Sequence, residues 1–140
     1  MQLKEQAQSA LRMKNIFFQE VHMETSGKRA ADANDVQVGF RIEEPIISAK
    51  SLRVGLHCRV EIKDVMSLHL LLVGIFQADD EEFLQRMVPN AIAIIFPYMR
   101  SQVTLMTAQP NLPPIVLPPI NINALLKTEM KNKGEMNIIP

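Results

Sequence analysis

The sequence has few of the residues that support catalysis or cross-linking. It contains one cysteine, Cys58, and three histidines, without HxxxH or CxxC spacing. A lone cysteine cannot form an internal disulfide, which agrees with a reducing compartment, and zinc sites need several clustered ligands. No nucleotide-binding or nucleophile motif occurs either. We therefore expect a protein that is not an enzyme and that uses no metal or cofactor.

Excess charge and long apolar runs are also missing. The 15 basic and 15 acidic residues cancel, so the chain has no net field to attract a phosphate backbone and nucleic acid is not an expected partner. The longest apolar runs, residues 68–75 and 91–96, are far shorter than the ~20 residues of a membrane span. The polar N-terminus does not resemble a secretory signal. We expect no membrane insertion and a cytoplasmic location.

What the chain does have is apolar material for one core. Its 140 residues are 47% hydrophobic, which fits a single domain over residues 1–140. Residues 1–13 are expected to be flexible or to form a short helix, and residues 132–140 a flexible tail. Nine methionines stand against no tryptophan. Methionine fills irregular cores and suits surfaces that adapt to varied apolar partners, and core filling is the simpler interpretation.

Alternating apolar and polar residues predict four strands, over residues 15–25, 36–43, 52–63 and 66–77. In the third strand, Cys58 lies on the apolar side and His57 on a side that should face water. The fourth strand is apolar on both sides, because Leu71 and Val73 interrupt its alternation. Such a strand is buried twice, and it needs cover from helices, a second subunit or a ligand. This pattern favours an oligomer.

The first strand carries two carboxylates on one side. Regular alternation places Phe18, Glu20, His22 and Glu24 together, with Phe17 on the opposite side. Glu20 and Glu24 are then about 13 Å apart by the rise per residue. This side is either a solvated strand face or a docking patch for a basic partner, and the residues alone leave both interpretations open.

Helical spacing follows the strands. Segments 79–88, 90–108 and 121–131 have apolar residues at helical intervals, and Pro97 should kink the middle segment or begin a new turn. Five prolines between residues 110 and 119 predict a stiff, extended connection. Together these patterns indicate an α+β fold.

The C-terminal third contains two distinctive motifs. The run NAIAIIFPYMRSQVTLM contains an FPYxR element, and LPPIVLPPI is followed by NINALL. These motifs resemble the SecB family of export chaperones, which has a matching FPYxR element and an LxLxPVNFxALF loop that leads into its last helix. The matching positions are Phe96, Pro97, Tyr98, Arg100, Ile115, Leu117, Pro119, Ile120, Asn121, Ala124 and Leu125. The sequences GIF at residues 74–76 and IFFQEVHMET at residues 16–25 also resemble family strands.

The resemblance implies a fold, an assembly and partners. SecB proteins have a four-stranded antiparallel sheet packed with two long helices and form tetramers that are dimers of dimers. They hold unfolded precursor proteins in apolar grooves and pass them to the SecA translocation ATPase. By similarity, Glu20 and Glu24 occupy acidic positions that face the basic tail of SecA, and the third such position falls at His69. This chain is neutral where typical members are strongly acidic.

Together these expectations predict a chaperone that holds unfolded preproteins without ATP. Strand alternation and helical spacing suggest apolar residues for its groove, namely Val38, Phe40, Ile42, Phe83 and Met87. Some SecB-like proteins instead guard the antitoxin of a toxin–antitoxin pair, and a structural subunit that binds one folded partner is a further alternative. A thioesterase-like enzyme would need a group such as His57 or Glu61 aimed into a pocket.

Overall fold

The computed structural model describes residues 10–30 and 36–131. Five strands are followed by three helices: β1 (Arg12–Thr25), β2 (Val36–Ile42), β3 (Ile46–Ser48), β4 (Ser51–Ile62), β5 (Met66–Gln77), α1 (Glu81–Arg86), α2 (Val88–Thr107) and α3 (Ile122–Lys131). The predicted α+β class with an antiparallel sheet and C-terminal helices is confirmed. The sheet has a fifth, three-residue strand, β3, and the six-residue α1 lies within the first predicted helical segment.

The strands form one antiparallel sheet in the order β1-β5-β4-β2, with β3 also paired to β4. β4 and β5 are therefore central, while β1 forms one edge and β2 with β3 the other. A turn at Asp64, which adopts a positive φ of 63°, joins the two central strands. Since β1 pairs only with β5 within the described residues, its outer edge keeps unpaired backbone groups.

One face of the sheet, the helix face, is covered by α2. Alternate residues of β4 and β5 meet the inward side of α2 in a continuous hydrophobic core, which includes Leu52, Val54, Leu56, Leu70, Leu72, Ile92, Ile95, Met99 and Val103. Gly74 allows the close approach, because a Cβ there would stand 2.9 Å from the Ile95 Cγ2 atom. Burial of apolar surface on this face is the main source of stability.

The opposite face, called the outer face below, is buried at its centre without any second subunit. Leu71 is 1% exposed and Val73 is 0% exposed within the single chain. Across the ladders His57 lies beside Leu71, and Phe17 lies beside Val73. β5 is thus buried on both faces as expected, but its double burial no longer argues for an oligomer. The larger side chains of His57 on β4 and Phe17 on β1 cover Leu71 and Val73 instead.

Two irregularities in β1 correct the predicted alternation. The register with β5 shifts between Met13 and Asn15 and again between Phe18 and Glu20. A bulge of this kind inserts one residue and changes which side the following residues face. Phe17 therefore shares the outer face with Glu20, while Phe18 packs toward the core.

The structure describes part of the N-terminal segment 1–13 and none of the C-terminal segment 132–140. Arg12 and Met13 belong to β1, so the short helix suggested for residues 1–13 does not extend over them. A β-strand is favoured there because these residues pair with the end of β5. Residues 1–9 and the suggested tail 132–140 lie outside the described residues.

The FPYxR element fixes the proline-rich loop. α2 continues through Pro97, and the next turns present Arg100, Thr104 and Thr107 on one side at helical spacing. The Arg100 Nε–H donates to the Leu117 carbonyl at 3.0 Å, and the Thr104 hydroxyl donates to the Ile115 carbonyl at 2.8 Å. The Ile115 N–H in turn donates to the Thr107 hydroxyl at 2.8 Å. These bonds hold an extended loop that has few backbone donors of its own.

Candidate interaction surfaces

Three histidines from three adjacent strands form a row on the outer face. His22 of β1 and His69 of β5 are direct cross-strand partners with parallel rings 6.2 Å apart. His57 of β4 lies diagonally on the other side of His69, with ring centroids 5.1 Å apart and an interplanar angle of 2°. This histidine row contains every histidine of the chain. Sequence reasoning placed the three residues on strands but did not bring them together.

The row is part of a chain of polar contacts. His57 Nδ1 lies 2.9 Å from His69 Nε2, and His57 Nε2 lies 2.9 Å from the Glu43 Oε2 atom. At the other end, His69 Nδ1 is 3.6 Å from Glu20 Oε1. His57 is only 4% exposed, contrary to the expectation that its strand side faces water. Glu43 and His69 exclude water from it.

Glu43 reaches His57 by lying across β4. Its Oε1 atom accepts a hydrogen bond from the Arg53 guanidinium at 2.9 Å, and Arg53 also donates to Gln19 at 3.0 Å. The path is open because residue 55 is glycine: a Cβ there would stand 2.7 Å from Glu43 Oε1. Gly55 therefore provides the space in which the carboxylate contacts both Arg53 and His57.

The electrostatic environment disfavours extra protons on this network. Burial opposes ionisation of Glu43, but hydrogen bonds from Arg53 and His57 outweigh it, so the pKa of this carboxyl is lowered. The pKa of His69 is also lowered, first by burial and then by the nearby charge of His57, against an opposing attraction from Glu20. Both groups therefore resist protonation in the folded state.

The suggested docking residues Glu20, Glu24 and His69 do share the outer face. A cavity of about 290 Å³ lies beside them. Its lining includes His22, Glu24, Arg59, Glu61, Ser67 and His69. His69 is not available as an isolated docking group, because it is held between His57 and Glu20. Their role in docking stays a prediction.

The same geometry bears on the enzyme alternative. Both ring nitrogens of His57 are engaged by Glu43 and His69, so this residue offers no free base to a substrate. Cys58 is buried on the helix face, and burial raises the pKa of its thiol to about 12. Among the described residues, no group of three or more histidine, cysteine or acidic side chains is arranged to hold a metal ion.

The suggested groove residues lie along the core rather than at one open cleft. Val38, Phe40, Phe83 and Met87 are partly buried and pack against the core, and the Phe40 ring meets the Phe96 ring edge-on at 5.7 Å. Ile42 is buried. Contact between these residues and a bound segment stays a prediction.

A second apolar surface, which the sequence did not predict, lies on α2. Ile94, Tyr98 and Leu105 lie along one outward side of α2 and are 41%, 49% and 68% exposed. Val116 of the proline-rich loop is also exposed. We call Ile94, Tyr98 and Leu105 of α2 the apolar stripe. The signal was present in the sequence, since residues 91–96 are apolar on more sides than one buried helix face requires.

The fold is shared with the SecB-like chaperone Rv1957 of Mycobacterium tuberculosis, solved in complex with a ChAD peptide from the HigA1 antitoxin. The match has a TM-score of 0.57 and 18% identity, and it covers 79% of this chain and 91% of that one. The family model described as preprotein translocase subunit SecB matches residues 4–133. The chain belongs to the SecB family.

A curated relative matches more locally. An uncharacterized protein of Methanocaldococcus jannaschii is 46% identical over 46 residues, which is 33% of this chain. The match spans only 30% of the relative's length. No helix within residues 10–30 and 36–131 is long and apolar enough to cross a membrane.

Proposed function

We propose that the protein is a chaperone that holds non-native polypeptides without nucleotide. The apolar stripe carries this proposal, because Tyr98 and Leu105 present large apolar side chains on a rigid helix with no covering element in the described chain. Contiguous exposed apolar surface on a folded protein commonly marks an interaction site. Family membership supports the same role. Hydrophobic burial would bind many sequences, as a holding chaperone requires.

The free edge of β1 supports a homo-oligomer. Among the described residues this long strand edge has no partner strand, and such edges readily pair with another chain. We propose a tetramer built as a dimer of dimers by family resemblance.

For the clients, we propose precursors destined for Sec-dependent export, held in the cytoplasm and handed to SecA. Glu20 and Glu24 on the outer face would dock its basic tail. Glu24 lines the outer-face cavity, which gives a cationic side chain a recess to enter. The proposed groove residues Val38, Phe40, Ile42, Phe83 and Met87 would contact the client.

A second candidate is the chaperone of an antitoxin. The observation that favours it is the replacement of the third acidic docking position by His69, whose ring is already held by His57 and Glu20. The outer face is thereby less suited to a basic SecA tail. The structurally similar mycobacterial protein was solved with an antitoxin peptide. A dedicated client would still use the apolar stripe.

Client holding is tested by aggregation of a chemically denatured protein on dilution, followed by light scattering and by size exclusion of the complex. We expect the wild-type chain to suppress aggregation and Leu105→Ser to lose most of this activity. Ile46→Ser is the matched control, since Ile46 is also an exposed apolar residue but lies on β3. No suppression by the wild type, or equal loss in both variants, would reject the proposal.

Docking is tested by a pull-down with purified SecA. Glu24→Ala should weaken binding without disturbing the network, because Glu24 makes no ion pair in the described chain. Glu20→Ala should weaken it as well. Glu61→Ala, which changes another carboxylate of the same cavity, shows whether the loss depends on position or on charge alone. Unchanged binding in both test variants would exclude this docking mode and favour the antitoxin alternative.

A further inference from the structure

The contacts of the histidine row limit the number of protons that it can hold. Between Glu43 and Glu20 lie the four ring nitrogens of His57 and His69, with gaps of 2.9, 2.9 and 3.6 Å along the line. The two outer gaps face carboxylate oxygens, which only accept hydrogen bonds. The middle gap joins two nitrogens, one of which must donate while the other accepts.

Each of the three contacts has one donor when the two rings together carry three N–H protons. One lies on His57 Nε2 toward Glu43, one on His69 Nδ1 toward Glu20, and one is shared between the two rings. The pair then carries a single positive charge, and each contact has one donor. A fourth proton would place two N–H groups against each other across the 2.9 Å gap between the rings, so the contact must open. Removal of a proton leaves one of the three contacts without a donor.

We propose that His57 and His69 form a one-proton unit, and that uptake of a second proton opens the pair and moves His69 away from His57. The direction of movement follows from packing. The His57 side chain is 5% exposed and held by Glu43, whereas the His69 side chain is 22% exposed beside the outer-face cavity. His69 is therefore the ring that turns outward, and the outer face becomes responsive to pH.

Charges from every adjacent strand act on the pair. β1 contributes Glu20 and His22, and the segment after β2 contributes Glu43. Further charged groups lie on the same face, namely Arg41 on β2 opposite His57, Arg53, Arg59 and Glu61 on β4, and Glu24 on β1. Arg59 and His22 oppose protonation of His69, while Glu20 favours it. Because these charges act on His69 in opposite directions, the short contact between the two rings is what limits uptake of a second proton.

The test follows the ring nitrogens by NMR in the full chain labelled with ¹⁵N-histidine, between about pH 8.5 and 4.5. His57 and His69 should change together and take up one proton in total while the rings stay in contact. The second proton should follow only at lower pH, with loss of the coupling between the rings. His69→Gln should convert His57 into a single independent site. His22→Gln removes a stacked ring and an influence that opposes protonation of His69, but it should leave the coupling between His57 and His69 intact.

Independent titration of His57 and His69 with the midpoint of His22 would overturn the proposal. So would a His57 titration that is the same in wild type and His69→Gln. This experiment uses no client and no docking partner, so it does not depend on the proposed function.

One consequence rests on the proposed docking role of Glu20 and Glu24. Once the second proton has bound, the His69 ring carries its own charge and competes for Glu20. Between pH 7 and the pH at which the pair has opened, an oligolysine peptide should therefore lose about fivefold more affinity in wild type than in His69→Gln, the effect of one added charge at about 4 Å in water. A peptide that never binds would reject the docking proposal while the ring titration still decides the switch.

Discussion

Replacement of Gly55 by alanine tests whether the outer-face network is stabilising. The added Cβ would stand 2.7 Å from Glu43 Oε1 and 3.1 Å from Cδ. These atoms end a flexible side chain, so Glu43 can swing aside with little strain. The structural cost is then the loss of its hydrogen bonds to Arg53 and His57, which leaves a buried His57 N–H without its partner.

The magnitude follows from these contacts. Loss of the charge-assisted bonds, in a group whose side chain is 27% exposed, should cost ~2 kcal/mol. Alanine in a strand interior stabilises the fold by ~0.5 kcal/mol relative to glycine, because it reduces the conformational freedom of the unfolded chain. Gly55→Ala should therefore lower the free energy of unfolding by about 1.5 kcal/mol in the wild-type background. In a Glu43→Ala background only the alanine gain remains, and the same change should stabilise the fold by ~0.5 kcal/mol.

The assay is urea denaturation of the four proteins of this double-mutant cycle at one fixed protein concentration, since assembly would shift apparent stability. Gly74→Ala is the control. Its Cβ would meet Ile95 and Phe76 in the core at 2.9 Å, so it should destabilise both backgrounds equally. A Gly55→Ala effect of the same sign and size with and without Glu43 would refute the reasoning.

Three further results are expected. Because the pKa values of His69 and Glu43 are lowered in the folded state, the unfolded chain binds more protons than the folded chain. Urea midpoints should therefore fall as pH drops below about 6.5 and again below about 4.5. His69→Gln should flatten the first decline, and a flat wild-type profile would contradict this linkage. Thr107→Val removes the acceptor of the Ile115 N–H and should cost ~1–3 kcal/mol by thermal denaturation, whereas an unchanged midpoint would contradict the loop contact. The buried Cys58 thiol, with a pKa of about 12, should react with a thiol reagent at pH 8 only after unfolding, so rapid native-state labelling would contradict its placement.

The elements were predictable because each depends on short-range periodicity. Strict alternation over residues 52–63 and the mostly apolar run over residues 66–77 match β4 and β5 closely, and turn chemistry at Asp64 separates the two strands. The proline-rich loop was also predictable in form. Its attachment was not, because Arg100 and Thr104 bond to carbonyls more than ten residues away.

The histidine row was not predictable because it depends on register. Alternation placed His22 and His57 on separate strands but could not show which β5 residue lies beside them. The bulge between Phe18 and Glu20 also reversed the side on which the preceding aromatic residue lies. Gly55 looked like an ordinary strand glycine, since its purpose is visible only with Glu43 lying over it.

The two candidate surfaces lie on opposite sides of the sheet, so the proposed client holding and the proposed partner docking would use separate residues. The apolar stripe belongs to α2 on the helix face, whereas Glu24 and His69 belong to the outer face. Residues that share no partner across such a distance usually contribute additively. Leu105→Ser should therefore reduce client holding to the same extent with or without Glu24→Ala, and Glu24→Ala should change docking alone. Strong coupling between these two substitutions in either assay would mean that one surface serves both tasks.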